Sequence, residues 1–287
     1  MRILHLSDTH LTASGFDEDG VDAAASLDRI LHDVRFVPDL DLIVVSGDLA
    51  DDGSVAGYAA VRERVGRFAA GRQIPQVYCV GNHDDRAAFA QVLGTGHVDA
   101  AGRDVGQTAV ADARAAVSEP AGLRMITLDS LVPGSAYGLV SDAQLGWLGS
   151  VLAQPAPEGS VVVVHHPPIA LSSVPWMATD GLRNAEALGE VLAGTDVRAV
   201  LCGHFHLQLA GSLRGIPVSV TPGVVTRLDL TTRPHLWRGV KGAGATVVEL
   251  GASGGPPLFH AVQARDPHVG EPVYLVDTRS GGDATED

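Results

Sequence analysis

Five short phrases carry the residues through which this chain could hold metal ions: Asp8-Thr9-His10, Gly47-Asp48, Gly81-Asn82-His83-Asp84, His165-His166 and Gly203-His204-Phe205-His206. In an extended segment, residues two apart point to the same side. The spacing therefore predicts that Asp8 and His10 face one ion, and that His204 and His206 do likewise. The two carboxylate oxygens of Asp48 can bridge two ions, and Gly47 before it leaves room for a close approach. Asn82 offers a neutral amide oxygen, and His83 beside it an imidazole. Taken singly, each phrase reads as readily as a turn or a hydrogen-bonded structural histidine. All five, however, directly follow an apolar run.

These residues can meet only if the preceding elements end side by side, where α/β folds build their sites. Residues 2–7 read as a strand, and residues 22–36 have helical spacing, with Asp22 near the start. Leu42-Ile43-Val44-Val45 is an unbroken apolar run, as expected of a strand buried on both faces. Residues 55–69 predict a helix, 76–80 a strand and 84–93 a short helix. Residues 105–118 and 123–129 are expected as consecutive strands, so that the sheet turns antiparallel. A helix over 141–153, a buried strand over 161–164, a helix over 184–192 and a strand over 199–202 follow. Residues 207–220 and 244–264 read as further strands. Two long connections, 167–182 and 222–243, are expected to be loops with a functional part. Residues 1–277 are expected to form one domain, with 278–287 a disordered tail.

The chain has 287 residues, 45% apolar and 19% charged, enough for a large α/β domain with a substantial core. Its formal net charge of −14 disfavours wrapping nucleic acid or coating an anionic membrane. A local metal site would still admit an anionic substrate. Cys79 and Cys202 each end an apolar run and are expected as buried, reduced thiols. With no signal-peptide pattern after Arg2 and no apolar run of membrane-spanning length, the expectation is a cytoplasmic protein.

The ordered phrases resemble the calcineurin-like metallophosphoesterase superfamily, whose motifs are matched from Asp8 to His206. Leu128-Asp129-Ser130, Pro133-Gly134, Tyr137-Gly138 and Gln144-Leu145-Gly146-Trp147-Leu148 sharpen the likeness. Together with Gly81-Asn82-His83-Asp84-Asp85 and His165-His166-Pro167-Pro168, they look like the class III cyclic nucleotide phosphodiesterases. Glycerophosphodiesterases of the same branch share much of the pattern. The resemblance implies a four-layer α/β/β/α sandwich with mixed sheets and two metal ions at one edge. It assigns Asp8, His10 and His206 to the first ion, Asn82, His165 and His204 to the second, and Asp48 as the bridge. His166 and Asp85 would stand behind the ligands or touch substrate. Oxygen and nitrogen ligands without thiolate suit Mn²⁺, Fe²⁺/Fe³⁺ or Zn²⁺.

Two divalent ions, the carboxylates of Asp8 and Asp48 and one bridging hydroxide would leave a net charge of about +1, matched to a phosphodiester monoanion. The expected reaction is hydrolysis of a 3′,5′-cyclic nucleotide to its 5′-monophosphate. Alternatives are 2′,3′-cyclic nucleotides, glycerophosphodiesters or a broad range of phosphoesters. His83 is the candidate proton donor, with Asp84 orienting its ring. Trp176, Met177, Arg227, His235 and Trp237, in the two long connections, are candidates for base recognition. A binding scaffold without catalysis and a nuclease are the competing classes; the complete ligand set weighs against the first and the acidic charge against the second. The expected partner is a small phosphodiester, with neither nucleic acid nor membrane, and a homodimer is left open.

Overall fold

The computed structural model describes residues 1–108, 110–111, 113–233, 235–251, 255–277, 279 and 282–283. Three of the apolar runs become the parallel centre of a six-stranded sheet: β1 (Arg2–Leu6), β2 (Leu42–Val45) and β3 (Gln76–Tyr78). This sheet is completed antiparallel by β4 (His97–Val98) on one side and by β13 (Gly244–Glu249) and β14 (Leu258–Gln263) on the other. A second six-stranded sheet has the parallel strands β6 (Arg124–Leu128), β7 (Ser160–Val164), β8 (Val197–Cys202) and β10 (Ile216–Val220). Its antiparallel edges are β5 (Ala116–Ser118) and β9 (Leu209–Leu213).

The alternation of side chains along a strand sorts these runs into separate cores. Ile3, Leu42, Val44, Val161, Val163, Ala199 and Leu201 pack between the two sheets. Leu4, Leu6, Ile43 and Val45 face α1 (Ala23–Asp33), α2 (Val55–Ala70) and α3 (Arg86–Leu93). Val162, Val164, Val200 and Cys202 face α4 (Asp142–Val151) and α6 (Ala185–Leu192). The result is the expected four-layer α/β/β/α order with mixed sheets. Each buried Val, Leu or Ile contributes about 1.5–3 kcal/mol, so the four valines of β7, all fully buried, anchor its register firmly.

Three segments depart from expectation. Among the described residues of 105–118 only β5 is a strand, and Gln107 forms an isolated bridge to Val117 within it. Asp99 accepts the backbone N–H groups of Ala101 and Arg103, and Asp104 those of Thr95 and Gly106. Such local bonds compete with a ladder. The expected connection 167–182 contains the short helix α5 (Pro175–Asp180). The connection 222–243 contains β11 (Thr226–Asp229) and β12 (Leu236–Lys241). These join β15 (Pro272–Asp277) and β16 (Gly282–Asp283) in a third, antiparallel sheet. The expected tail from residue 278 lies outside the described residues apart from Arg279 and β16. No helix among the described residues is long and apolar enough to cross a membrane. Cys79 and Cys202 are buried and free.

Candidate metal centre

The C-terminal ends of β1, β2, β3, β7 and β8 open onto one edge, and all five phrases meet there. The residues nevertheless converge by a route other than the extended backbone expected. Each of Asp8, His10, Asp48, His204 and His206 has a positive φ, between 44° and 69°. This left-handed region is uncommon for residues other than glycine, though Asp and His tolerate it better than most, and it concentrates at functional sites. The chain turns sharply at each strand end and folds the ligand-type side chains back over the sheet edge. Gly47, at φ 109°, is needed because a Cβ there would strike the His165 ring. Gly81 is needed because a Cβ would strike Asp48.

Asp8, His10 and His206 offer ligand atoms within 4.8 Å of one another, as do Asp8, Asp48 and His165. Each ring is fixed through its other nitrogen. His10 donates from Nδ1 to Asp51 Oδ1 at 2.7 Å, which leaves its Nε2 buried and without a partner. His206 Nδ1 meets Thr226 Oγ1 at 2.7 Å, with Nε2 3.4 Å from Asp8 Oδ1. His165 donates from Nδ1 to the Ser46 carbonyl at 2.8 Å. Its Nε2 then faces two oxygens, Asp48 Oδ2 at 3.1 Å and Asn82 Oδ1 at 3.2 Å. A lone pair facing two acceptors requires a cation or a proton between them. His204 Nε2 is likewise buried without a partner. Orphaned imidazole nitrogens and carboxylates, oriented by outer hydrogen bonds, are the arrangement metal ligands need. The residues therefore fit a pair of ions.

Without ions, the cluster balances its own charge with protons. Burial opposes protonation of His10, but the Asp51 bond and the charges of Asp48, Asp8 and Asp51 hold it at about 9. Burial works against His165 too, and Asp48 and Asp8 outweigh it, again to about 9. Burial would raise Asp8, yet His206 and His165 bring it down to about 2. Asp48 also lies well below its ordinary value because His165, His83 and His10 outweigh burial. His204, desolvated and next to His165, is pushed down to about 3 and presents a neutral ring.

The remaining expected residues fall in distinct places. His166 lies within ligand distance of His165 and His204, but both its nitrogens are used. Its Nε2 donates to the Ala136 carbonyl at 3.1 Å, so Nδ1 accepts from Ser130 Oγ at 2.7 Å. That leaves it no lone pair for an ion. His83 lines the cavity; its backbone N–H donates to Asp48 Oδ1 at 2.9 Å, and its Nδ1 lies 3.2 Å from the Asp51 carbonyl. Asp84 departs from its expected place beside the His83 ring. Its buried carboxylate accepts the N–H groups of Leu49, Ala50 and Gly81 at 3.1, 3.2 and 2.8 Å, tying the second phrase to the third. Burial and the Asp48 charge raise it to about 6. Asp85 caps α3 through Ala87 and Ala88 and does not line the cavity. Asp51 is the residue sequence reasoning missed: it touches His10 and comes within 3.5 Å of His83 Nδ1. Its only sequence signal is its place three residues after Asp48.

The cluster floors a cavity of about 360 Å³, within the range of small-ligand sites. Asp17, Glu18, Asp19 and Asp180 are among its lining residues, as are Trp176, Phe205, Leu228, Trp237, Tyr274 and Val276. Of the five base-recognition candidates, only the two tryptophans line the cavity; Met177 is buried in the core instead.

Fold and site together bring groups of residues that could hold metal ions to one sheet edge of an α/β/β/α scaffold. The calcineurin-like phosphoesterase family model matches residues 1–208, and the chain belongs to that family. It is 38% identical over 275 residues to a probable cyclic nucleotide phosphodiesterase of Rhodococcus erythropolis, covering 94% of this chain and 86% of the relative. It is 41% identical over 253 residues to a cAMP/cGMP dual specificity phosphodiesterase of Mycobacterium tuberculosis, covering 86% and 75%. The 3′,5′-cyclic adenosine monophosphate phosphodiesterase CpdA of Escherichia coli is 32% identical over 238 residues, covering 82% and 78%. Among solved structures, a purple acid phosphatase from yellow lupin seeds shares the fold, with a TM-score of 0.54 at 12% identity over 99% of this chain and 52% of that one.

Proposed function

We propose that the protein is a metal-dependent phosphodiesterase that hydrolyses 3′,5′-cyclic nucleotides to 5′-monophosphates. The observation that carries this reading is the convergence of seven ligand-type residues, two of them with orphaned Nε2 atoms, at a small-ligand cavity that five of them line. Relatives named as cyclic nucleotide phosphodiesterases, matched over most of their length, support the substrate class.

Asp8, His10 and His206 would hold one ion, Asn82, His165 and His204 the other, with Asp48 shared. The mixed oxygen and nitrogen set suits Mn²⁺, Fe or Zn²⁺. When bound, such a pair supplies positive charge to the phosphoryl oxygens and acidifies water for attack at phosphorus. The chain itself supplies position and protons. Asp51, Thr226 and the Ser46 carbonyl set the rings of His10, His206 and His165 before substrate arrives. Asp84 holds the backbone that carries Asp48 and Asn82. His83 donates its Nδ1–H to the Asp51 carbonyl, so it is the doubly protonated ring, with a second proton on Nε2, that would give that proton to the departing 3′-oxygen and keep Nδ1–H. The catalytic unit of this reading is residues 1–277, supported by Tyr274 and Val276 among the cavity's lining residues. Its place of action is the cytoplasm, where the thiols of Cys79 and Cys202 stay reduced.

The test is a substrate panel on Mn²⁺-loaded protein: 3′,5′-cAMP, 2′,3′-cAMP, a glycerophosphodiester and an aryl phosphodiester. The expected result is the highest kcat/KM on 3′,5′-cAMP. An efficiency on 3′,5′-cAMP far below the other substrates would overturn the reading.

A further inference from the structure

The ligand cluster fixes where a phosphoryl group must sit, so the rest of a substrate must lie against the other walls of the cavity. One of those walls is aromatic. Trp176 on α5 and Trp237 on β12 touch, with ring centroids 4.2 Å apart and planes tilted by 58°. Trp176 also meets Phe205, which lies between His204 and His206, edge-on at 5.3 Å and 86°. The wall thus begins beside the ligands and leads away from them. Both indole N–H groups are buried without an acceptor. Packing alone holds the two rings. Asp17, Glu18, Asp19 and Asp180 also line the cavity; they repel a second anionic group and leave an uncharged aromatic body as the better occupant.

We propose that Trp176 and Trp237 form the nucleobase-binding wall of the site, gripping the base of a cyclic nucleotide by stacking while its phosphate lies on the ligand cluster. The proposal rests on the phosphodiesterase reading above. Stacking tolerates any base, because every base has a π face. The wall therefore separates nucleotides from base-less diesters and discriminates little between adenine and guanine.

The experiment compares 3′,5′-cAMP, 3′,5′-cGMP and the base-less methyl ribofuranoside 3′,5′-cyclic phosphate on Mn²⁺-loaded wild type, Trp237→Leu, Trp237→Phe and Trp176→Leu. In the wild type, the base should raise kcat/KM by roughly 5- to 150-fold over the base-less diester. Trp237→Leu and Trp176→Leu should remove most of that advantage for cAMP and cGMP alike, chiefly through KM, and leave the base-less diester unchanged. Trp237→Phe, which keeps a π face, should retain most of it and shows that the position tolerates replacement. The proposal is overturned if the base gives no advantage in the wild type, or if the leucine variants slow all three substrates equally. A wild type that turns over other diesters but no cyclic nucleotide overturns instead the reading on which the proposal stands.

Discussion

On the floor of the cleft, His10, His165 and His206 are each locked by a second hydrogen bond, to Asp51, the Ser46 carbonyl and Thr226. On the aromatic wall, Trp176 and Trp237 are held by contact alone, and neither indole N–H has an acceptor. The floor is built from left-handed turns at strand ends, where Asp8, His10, Asp48, His204 and His206 accept strain for position. The wall is built from a six-residue helix and the third sheet. Chemistry at phosphorus needs ligand atoms placed to a fraction of an ångström, and outer hydrogen bonds supply that placement. Recognition of a flat base needs area, which packing supplies.

Substitutions on the floor should sharpen this contrast, beginning with the most damaging. Asp48→Ala removes the shared carboxylate, and turnover should fall beyond the ~10⁴-fold that losing a single proton-transfer group costs. Metal analysis should show loss of bound ions in parallel; a fully metallated variant would contradict the sharing. His83→Ala should keep its metal content while turnover drops by roughly 10²–10⁴-fold. Wild-type turnover in that variant would remove His83 from the chemistry. Asp51→Asn loosens the His10 ring without deleting a ligand, so metal affinity or activity should fall by about 10–100-fold. An unchanged affinity in a metal titration would show that the outer bond matters no more than the packing of the wall.

A further effect concerns protons. In the metal-free protein, His10 and His165 lie at about 9 and carry protons at neutral pH. A metal ligand must present a neutral ring, so binding has to expel those protons. Affinity should therefore rise with pH through neutrality and level off above about 9, by about tenfold per pH unit for each proton released. Calorimetry in buffers of different ionisation enthalpy would read the release directly, and a heat independent of buffer would contradict it.

Legibility in the sequence follows the same division. The floor could be read because ligand-type residues stand directly after apolar runs such as Val161–Val164, whose burial on both faces leaves no other role. The left-handed turns could not: Asp8 and His10 are spaced alike in extended and in turned backbone. Asp51 was hidden because an acidic pair after Ala50 reads as a turn, and its role exists only once His10 arrives from another strand. The third sheet was hidden because the pattern of its strands is broken by exceptions. β15 begins with Pro272, and β12 carries Gly239 and shifts register beside it. A Cβ at Gly239 would collide with the Tyr274 ring, so that glycine serves the packing of the sheet and weakens its pattern. Trp176 and Trp237 stood out by type, but only the fold shows them side by side in the cavity.

The most direct measurement is reconstitution of metal-stripped protein with Mn²⁺ while following 3′,5′-cAMP hydrolysis. Stripped protein should show negligible turnover, and activity should rise until two ions are bound per chain. Hydrolysis of 3′,5′-cAMP at the full rate by stripped protein would contradict metal dependence.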